Sequence, residues 1–363
     1  MPTAPEPRAA EVVGVVDLTE AQDVPGVGPK SAVLSRLLRL GYPVPAGVVV
    51  LPHAGADEIG SAAGELGDVL AVRSSARDED AGTSSFAGVH ESVLGVAPDA
   101  VVSAVERVRA SVASAVADAY RAVRDAGAPT ASAVLVQRQV AAAAAGVAFT
   151  VDPRTGDDVV VVEAAAGLGD GVVGGTVDPD RYRVDAAGTV ERERSTGVLD
   201  DGGVREVARL ARQVATELGG PQDVEWAVDD AGAVWLLQAR PVTATASGAA
   251  VPAATTGGPV LSGTGASRGR ATGTARVLAG PHEHERFAPG DVLVCRTTDP
   301  AWVPLLTVAA AVVTEVGGLL AHAAIVAREL GVPAVVGVPG ATSRLAHEPV
   351  LTVDGDRGEV RPA

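Results

Sequence analysis

The sequence predicts an α+β chain folded as two units joined by a linker, and three stretches carry that prediction. Asp223–Val228 and Ala233–Pro241 alternate around the turn Asp229-Asp230-Ala231-Gly232, which reads as an antiparallel hairpin. Thr243 to Pro259 holds Ala, Thr, Ser, Gly and Pro with no charge, the composition of a flexible linker. Ala309–Val313, Gly317-Gly318 and the run from His322 give a buried strand, a glycine break and a helix. The expected division is residues 1–243, a linker at 244–259 and a second unit at 260–363.

Residues up to about Asp23 read as a lead-in with one short strand, Val12 to Val16. Gly26-Val27-Gly28-Pro29-Lys30 then opens a helix from Ser31 to Leu40, with Leu34, Leu37 and Leu38 on one face and Gly41 at its end. Lys30 lies in its first turn behind two glycines. A cation there can reach a polyphosphate held by loop amides, although taken alone the position is better explained by a solvated lysine. Strands follow at Val48–Leu51 and Leu70–Ala76. Arg73 stands at the end of the second, where its fork can grip phosphate oxygens in a way lysine cannot. The polar loop Arg77–Gly88 suits a lid. A long helix is expected over Pro98–Asp125, then strands at Val134–Val140, Gly146–Val151 and Val159–Glu163. Val204–Leu218 should be a helix ended by Gly219-Gly220.

Side chains along the hairpin alternate faces. Glu225 shares a face with Asp223 and Ala227, and Gln238 shares one with Arg240. A carboxylate and an amide oxygen facing each other can hold magnesium, and a neighbouring arginine can neutralise phosphate charge. The competing reading is a cross-strand ion pair on an exposed hairpin.

His322 sits where the glycine loop becomes a helix, whose apolar positions Ile325, Val326 and Leu330 are followed by Gly331 and Pro333. Free amides and the positive end of the helix dipole meet there, which suits an anion. A lone histidine at such a place is more often a cap or a core residue. Gly317-Gly318 and the small residues Ala321–Ala324 leave this ring open, which favours a nucleophile that carries phosphate.

Composition narrows the classes. With 363 residues, two or three domains fit. A formal net charge of −16 argues against nucleic acid or an anionic membrane as partner. The single cysteine, Cys295, excludes an internal disulfide framework and fits a reducing, cytoplasmic setting. Met1-Pro2-Thr3-Ala4-Pro5-Glu6-Pro7 lacks the apolar core of a signal peptide, and no apolar run is long enough to span a membrane. His282, His284 and His347 lack partners at metal-ligand spacing and read as surface residues.

The stretch Thr314–Gly337 resembles the phosphohistidine signature of the phosphoenolpyruvate-utilising swivelling domain. That domain occurs in pyruvate phosphate dikinase, phosphoenolpyruvate synthase and rifampicin phosphotransferase. The blocks Val72-Arg73-Ser74-Ser75-Ala76, Val136-Gln137-Arg138, Gly146–Pro153 and Asp223–Trp226 with Leu237–Pro241 resemble, in order, the ATP-grasp-like nucleotide-binding domain of the same family. The resemblance covers about Val24 to Pro362. It implies ATP and magnesium bound through Lys30, Arg73, Gln137, Glu225, Gln238 and Arg240, with Glu225 and Gln238 on the metal and Gln137 near the adenine. It implies that His322 is phosphorylated with release of AMP and phosphate.

Four positions depart from the family pattern. Pro29 replaces a glycine. Aligned on Tyr120-Arg121, Val116 stands where an arginine touches nucleotide, and Arg109 where a tryptophan stands. Leu320 stands at a regulatory Thr or Ser, so that form of regulation is not expected. The family's acceptor domain has no counterpart between the two units, which points to an acceptor site on a partner or in the cleft. The alternative is a nucleotide-binding regulatory relative without turnover, favoured by Pro29 and Val116.

Overall fold

The computed structural model describes residues 14–76, 92–112, 132–242, 261–347 and 349–363. Among them the chain forms three β-sheets with helices on their faces, in keeping with the α+β class. The loop Arg77–Gly88, Val116, and the linker stretch lie outside the described residues. None of the helices among the described residues is long and apolar enough to cross a membrane.

The first sheet is antiparallel. Strands β1 (Val15–Asp17), β2 (Gly47–Val50), β3 (Leu70–Ser75), β4 (Ser92–Val96) and β5 (Ala133–Arg138) run in the order β1-β2-β5-β3-β4. Helix α1 (Gly28–Arg39) buries Leu34 and Leu37 and starts three residues before the expected Ser31. Pro29 accounts for the shift, because its fixed φ suits the first helical turn. Helix α2 (Ala56–Gly64) was not expected; only Ile59 and Ala63 are buried, too few to leave a helical period in the sequence. Helix α3 (Val101–Val112) is the described part of the long predicted helix.

The second sheet orders β6 (Ala142–Phe149), β7 (Val160–Ala166), β8 (Asp180–Val184), β9 (Val190–Arg194), β10 (Gln222–Asp229) and β11 (Val234–Pro241) as β11-β10-β6-β7-β8-β9. One face packs on helix α4 (Asp201–Leu218). Asp200 caps that helix through Gly203 N at 2.7 Å, and Gly219 ends it in the left-handed conformation. Val224, Trp226, Ala148, Val162 and Tyr182 share this core with Leu210 and Val214. Strands β8 and β9 carry Arg181, Arg183, Arg192 and Arg194, so they do not read as strands. Their charges are satisfied laterally: Asp152, fully buried, receives Arg154 and Arg183, and Arg154 also meets Glu193 at 3.1 Å.

The third sheet holds β12 (Leu261–Ser262), β13 (Thr264–Ser267), β14 (Arg270–Val277), β15 (Val292–Cys295), β16 (Ala311–Thr314), β17 (Ala334–Val336), β18 (Val350–Asp354) and β19 (Glu359–Pro362). Their order is β12-β19-β18-β14-β15-β16-β17-β13, with β14 to β17 parallel. Helix α5 (His322–Leu330) follows β16 and ends at Gly331, φ +67°. His282, His284 and His347 are exposed. The other face of the second sheet contributes Val147, Phe149 and Val161 to a core cluster with Leu319, Leu320, Ala323 and Trp302 of the second unit. The helix bearing His322 is thus docked on that sheet.

Candidate active site

Residue pairing across the second sheet places the candidate groups in rows on its open face. Glu225 lies opposite Gln238 on one side and Val147 on the other; Val147 lies opposite Glu163, and Glu163 opposite Arg181. The next row runs Arg240, Asp223, Phe149, Val161. The hairpin therefore has the facing expected from its alternation. One feature was not legible: the register shifts after Glu225, leaving Leu237 as an extra residue. Its carbonyl accepts from Arg73 Nη1 at 2.7 Å.

Arg73 is the hub. It reaches from β3 of the first sheet to the second, where its Nη2 donates to Glu225 Oε2 at 2.5 Å and to Gln238 Oε1 at 3.1 Å. Burial would raise the carboxyl of Glu225, but Arg73, Arg240 and Lys30 outweigh it and hold the group below its usual range. Asp223 goes the other way. Its burial and the charge of Glu225 raise it, although Arg240 Nε donates to it at 2.9 Å.

Lys30 is brought to this cluster by a staple. Ser75, at the end of β3, donates to Val27 O at 2.7 Å and accepts from Ser31 N at 3.2 Å. The contact is tight: a Cβ on Gly28, at φ +78°, would lie 2.0 Å from Ser75 O. The same strand end thus carries Arg73 and fixes the turn that carries Lys30.

Between the two sheets lies a pocket of about 240 Å³ with largely apolar walls that include Ala71, Leu94, Ala145 and Leu237. Gln137, Arg73 and Glu225 reach it as well, and Gln137 Nε2 is anchored on Pro45 O at 3.0 Å. A mostly apolar pocket lined also by a few polar side chains suits a purine.

The oxygens of Glu225 and Gln238 converge on one point that the Arg73 cation fills. One carboxylate and one amide oxygen are hard donors of the kind magnesium uses together with substrate phosphates. Among the described residues no group of three or more His, Cys, Asp or Glu side chains is placed to hold an ion, so phosphate oxygens would have to complete the shell. The donor set fits magnesium on that condition, with Arg73 moving onto the phosphates.

His322 is 5% exposed, at the first position of α5. Its Nδ1 lies 2.9 Å from Thr298 Oγ1, and its Nε2 is buried with no partner. With Nδ1–H donating to Thr298, the lone pair resides on Nε2. Burial lowers the ring pKa to about 3, so the ring is neutral when docked. Arg328, further along α5, lies close enough to Asp223 and Glu163 to feel both charges, and donates to Leu319 O at 2.7 Å.

The loop before His322 differs from the expectation of free amides. Leu319 N donates to both oxygens of Glu163 at 3.0 Å, and Gly317 N to Asp178 Oδ1 at 3.0 Å. Two amides that the glycine loop offers are thus taken by carboxylates of the second sheet and the turn before β8. Thr298, Glu163, Asp178 and the Leu237 carbonyl all escape sequence reasoning.

The chain matches the family described as "Pyruvate phosphate dikinase, AMP/ATP-binding domain" over residues 49–195 and 186–257. It also matches "PEP-utilising enzyme, mobile domain" over 287–358. This chain belongs to the pyruvate phosphate dikinase, AMP/ATP-binding domain family. The dikinase-family segment 49–257 holds Arg73, Gln137, Glu225, Gln238 and Arg240, and the mobile-domain segment holds His322. Lys30 lies before the first matched residue. Similar proteins include a probable phosphoenolpyruvate synthase of Methanothermobacter thermautotrophicus, 37% identical over 80% of this chain and 46% of that protein. The probable phosphoenolpyruvate synthase of Pyrococcus abyssi is 35% identical over 99% of this chain and 48% of its own. The phosphoenolpyruvate synthase of Escherichia coli is 36% identical over 80% and 43%. The chain spans about half the length of these curated relatives.

Proposed function

We propose that the chain is an ATP-dependent phosphotransferase of the dikinase type, in which His322 takes a phosphoryl group from ATP. The observation that carries this reading is the shared face. The cation point of Glu225, Gln238 and Arg73 and the docking ground of the His322 helix lie on the same side of one sheet. The names of the relatives and both family matches support it.

In this mechanism the adenine enters the apolar pocket beside Gln137. Lys30, Arg73 and Arg240 meet the phosphates, and Glu225 with Gln238 hold magnesium. Bound magnesium supplies charge neutralisation at the phosphate oxygens. The neutral Nε2 of His322 attacks the β-phosphorus. An N–P bond forms, the bond from that phosphorus to the bridging oxygen breaks, and AMP leaves with the oxygen. Water then takes the terminal phosphate as inorganic phosphate, leaving phospho-His322. Thr298 keeps the proton on Nδ1 throughout. Residues 260–363 then move as a unit on the linker 244–259 and deliver the phosphoryl group to an acceptor held by a partner or in the cleft. The compartment proposed is the cytoplasm.

The test is mass analysis of the intact chain after Mg-ATP, with AMP assayed in the same tube. An acid-labile, alkali-stable phosphate derived from the β-position is expected. No added mass and no AMP, with candidate partners present, would leave a nucleotide-binding relative instead.

A further inference from the structure

We propose that Glu163 and Asp178 are positioning residues: they seat the unphosphorylated His322 loop on the ATP-binding sheet, and charge placed at His322 breaks the seat. The inference rests on the phosphotransfer reading for its purpose, and on the contacts alone for its existence.

The seat is built from both sides. Glu163 is fully buried, and both its oxygens accept from Leu319 N. Arg181 fixes that carboxylate with Nε at 2.9 Å and Nη2 at 2.5 Å, and reaches Thr264 of the third sheet with Nη1 at 3.0 Å. Asp178 holds Gly317 N and is itself met by Arg194 at 3.3 Å. Thr297, next to the residue that orients His322, donates to Gly175 O at 3.1 Å. The surfaces are cut to this fit. A Cβ on Gly318 would lie 2.7 Å from both Glu163 oxygens, and one on Gly175 would lie 2.6 Å from Ala321 Cβ.

The seat is also in the right place. Glu163 and Glu225 occupy one row, separated by the single residue Val147. Two strand spacings put them about 10 Å apart. Holding Leu319 therefore holds the start of α5 beside the phosphate end of the nucleotide site. A misplacement of a reacting group by about 1 Å can cost on the order of 100-fold in rate, which is why such a seat matters.

Its chemistry makes it conditional. Amides of a glycine loop leading into a helix N-terminus form an anion site. In the docked arrangement carboxylates fill part of it, next to a neutral ring. A phosphoryl group on Nε2 brings close to two negative charges to the same place. It repels Glu163 and Asp178 and competes for the amides they hold. The loaded loop then prefers to leave, so the product of the first transfer carries its own signal for departure.

The experiment is amide hydrogen exchange on the full chain, read in peptides covering Gly317–Leu320, with the β6 peptide as a control for folding. Without nucleotide, Asp178→Asn and Glu163→Gln should each speed loop exchange by about tenfold, the scale of one weakened charge-assisted hydrogen bond, and leave β6 unchanged. Asp178→Asn leaves the Glu163–Arg181 pair intact and carries the test alone if Glu163→Gln misfolds. His322→Asp, which places charge at the ring without any turnover, should also open the loop, and the neutral His322→Asn should not. With Mg-ATP, Asp178→Asn should bind nucleotide as the wild type does and form phosphohistidine about tenfold more slowly at saturating ATP, again the scale of that bond. Unchanged loop exchange in Asp178→Asn overturns the seat, and equal exchange in His322→Asp and His322→Asn overturns its release by charge. A wild-type chain that never gains phosphate overturns the phosphotransfer reading, while the nucleotide-free arms still decide the seat.

Discussion

At the scale of residues, the site separates binding from chemistry. Glu225 meets Arg73 in this arrangement, so removing its charge takes away both the hub's partner and the proposed magnesium donor. Glu225→Gln should weaken magnesium-dependent ATP binding by tenfold or so, as expected for losing one charged hydrogen bond. Titration calorimetry with and without magnesium reads this directly; equal affinity in both variants would remove Glu225 from the metal. His322→Ala should bind ATP like the wild type and form no phosphoprotein, because the proposed ATP-binding residues lie in the other unit and the ring's hydrogen bond is to Thr298. Label persisting in that variant would move the nucleophile elsewhere. Thr298→Val leaves Nδ1 without its partner and frees the ring to change tautomer. Phosphohistidine formation should slow by a factor of roughly ten, for a loss of about 1–1.5 kcal/mol. Unaltered single-turnover kinetics would show that Thr298 does not set the tautomer.

At the scale of elements, close backbone approach governs what the sheets tolerate. A Cβ on Gly146 would lie 1.9 Å from Glu163 O, so β6 and β7 approach each other only because this position is glycine. Gly146→Ala should push the strands apart and lower the melting temperature by several degrees, for a cost of about 1–3 kcal/mol. An unchanged melting temperature would mean that the sheet absorbs the methyl group. Much at this scale was legible. The hairpin β10–β11, the strands around it, β16 and α5 follow from alternation, glycine turns and helix stops. Glu225, Gln238 and Arg240 share their face because strand period alone dictates it. The missed strands β8 and β9 were hidden by their arginines, whose partners Asp152, Glu163 and Asp201 come from other segments. The bulge at Leu237 left no mark because an extra residue in a strand has no composition of its own. Glu163 was read as sheet, since one partner is a main-chain amide 156 residues away and the other, Arg181, lies on a strand that was itself missed.

At the scale of the molecule, docking and proton binding are coupled. The docked ring has a pKa of about 3, against an ordinary value of 6.5, because burial disfavours its charged form. The undocked form therefore binds more protons between those values, and docking is favoured at higher pH. It is fully present above about 6.5 and weakens as pH falls toward 3, by about 1.4 kcal/mol per unit. From pH 7.5 to 5.5 the docking equilibrium should drop by about tenfold. Small-angle scattering should show a larger mean dimension at the lower pH in the wild type and no such change in His322→Phe. A pH response that survives this substitution would assign it to another group.

The scarcity of aromatic side chains has a practical side. The chain has three tryptophans. Trp226 lies in the core between the second sheet and α4, and Trp235 is tied to Asp229 at 2.8 Å on the hairpin. Trp302 is 4% exposed and belongs to the cluster that joins the third sheet to the second. Separation of the two units would wet Trp302 and leave Trp226 dry, whereas global unfolding would wet both. The protein thus carries its own optical gauge of opening: a partial red shift of intrinsic emission would report the proposed swing of the histidine unit, and a full shift would report loss of the fold.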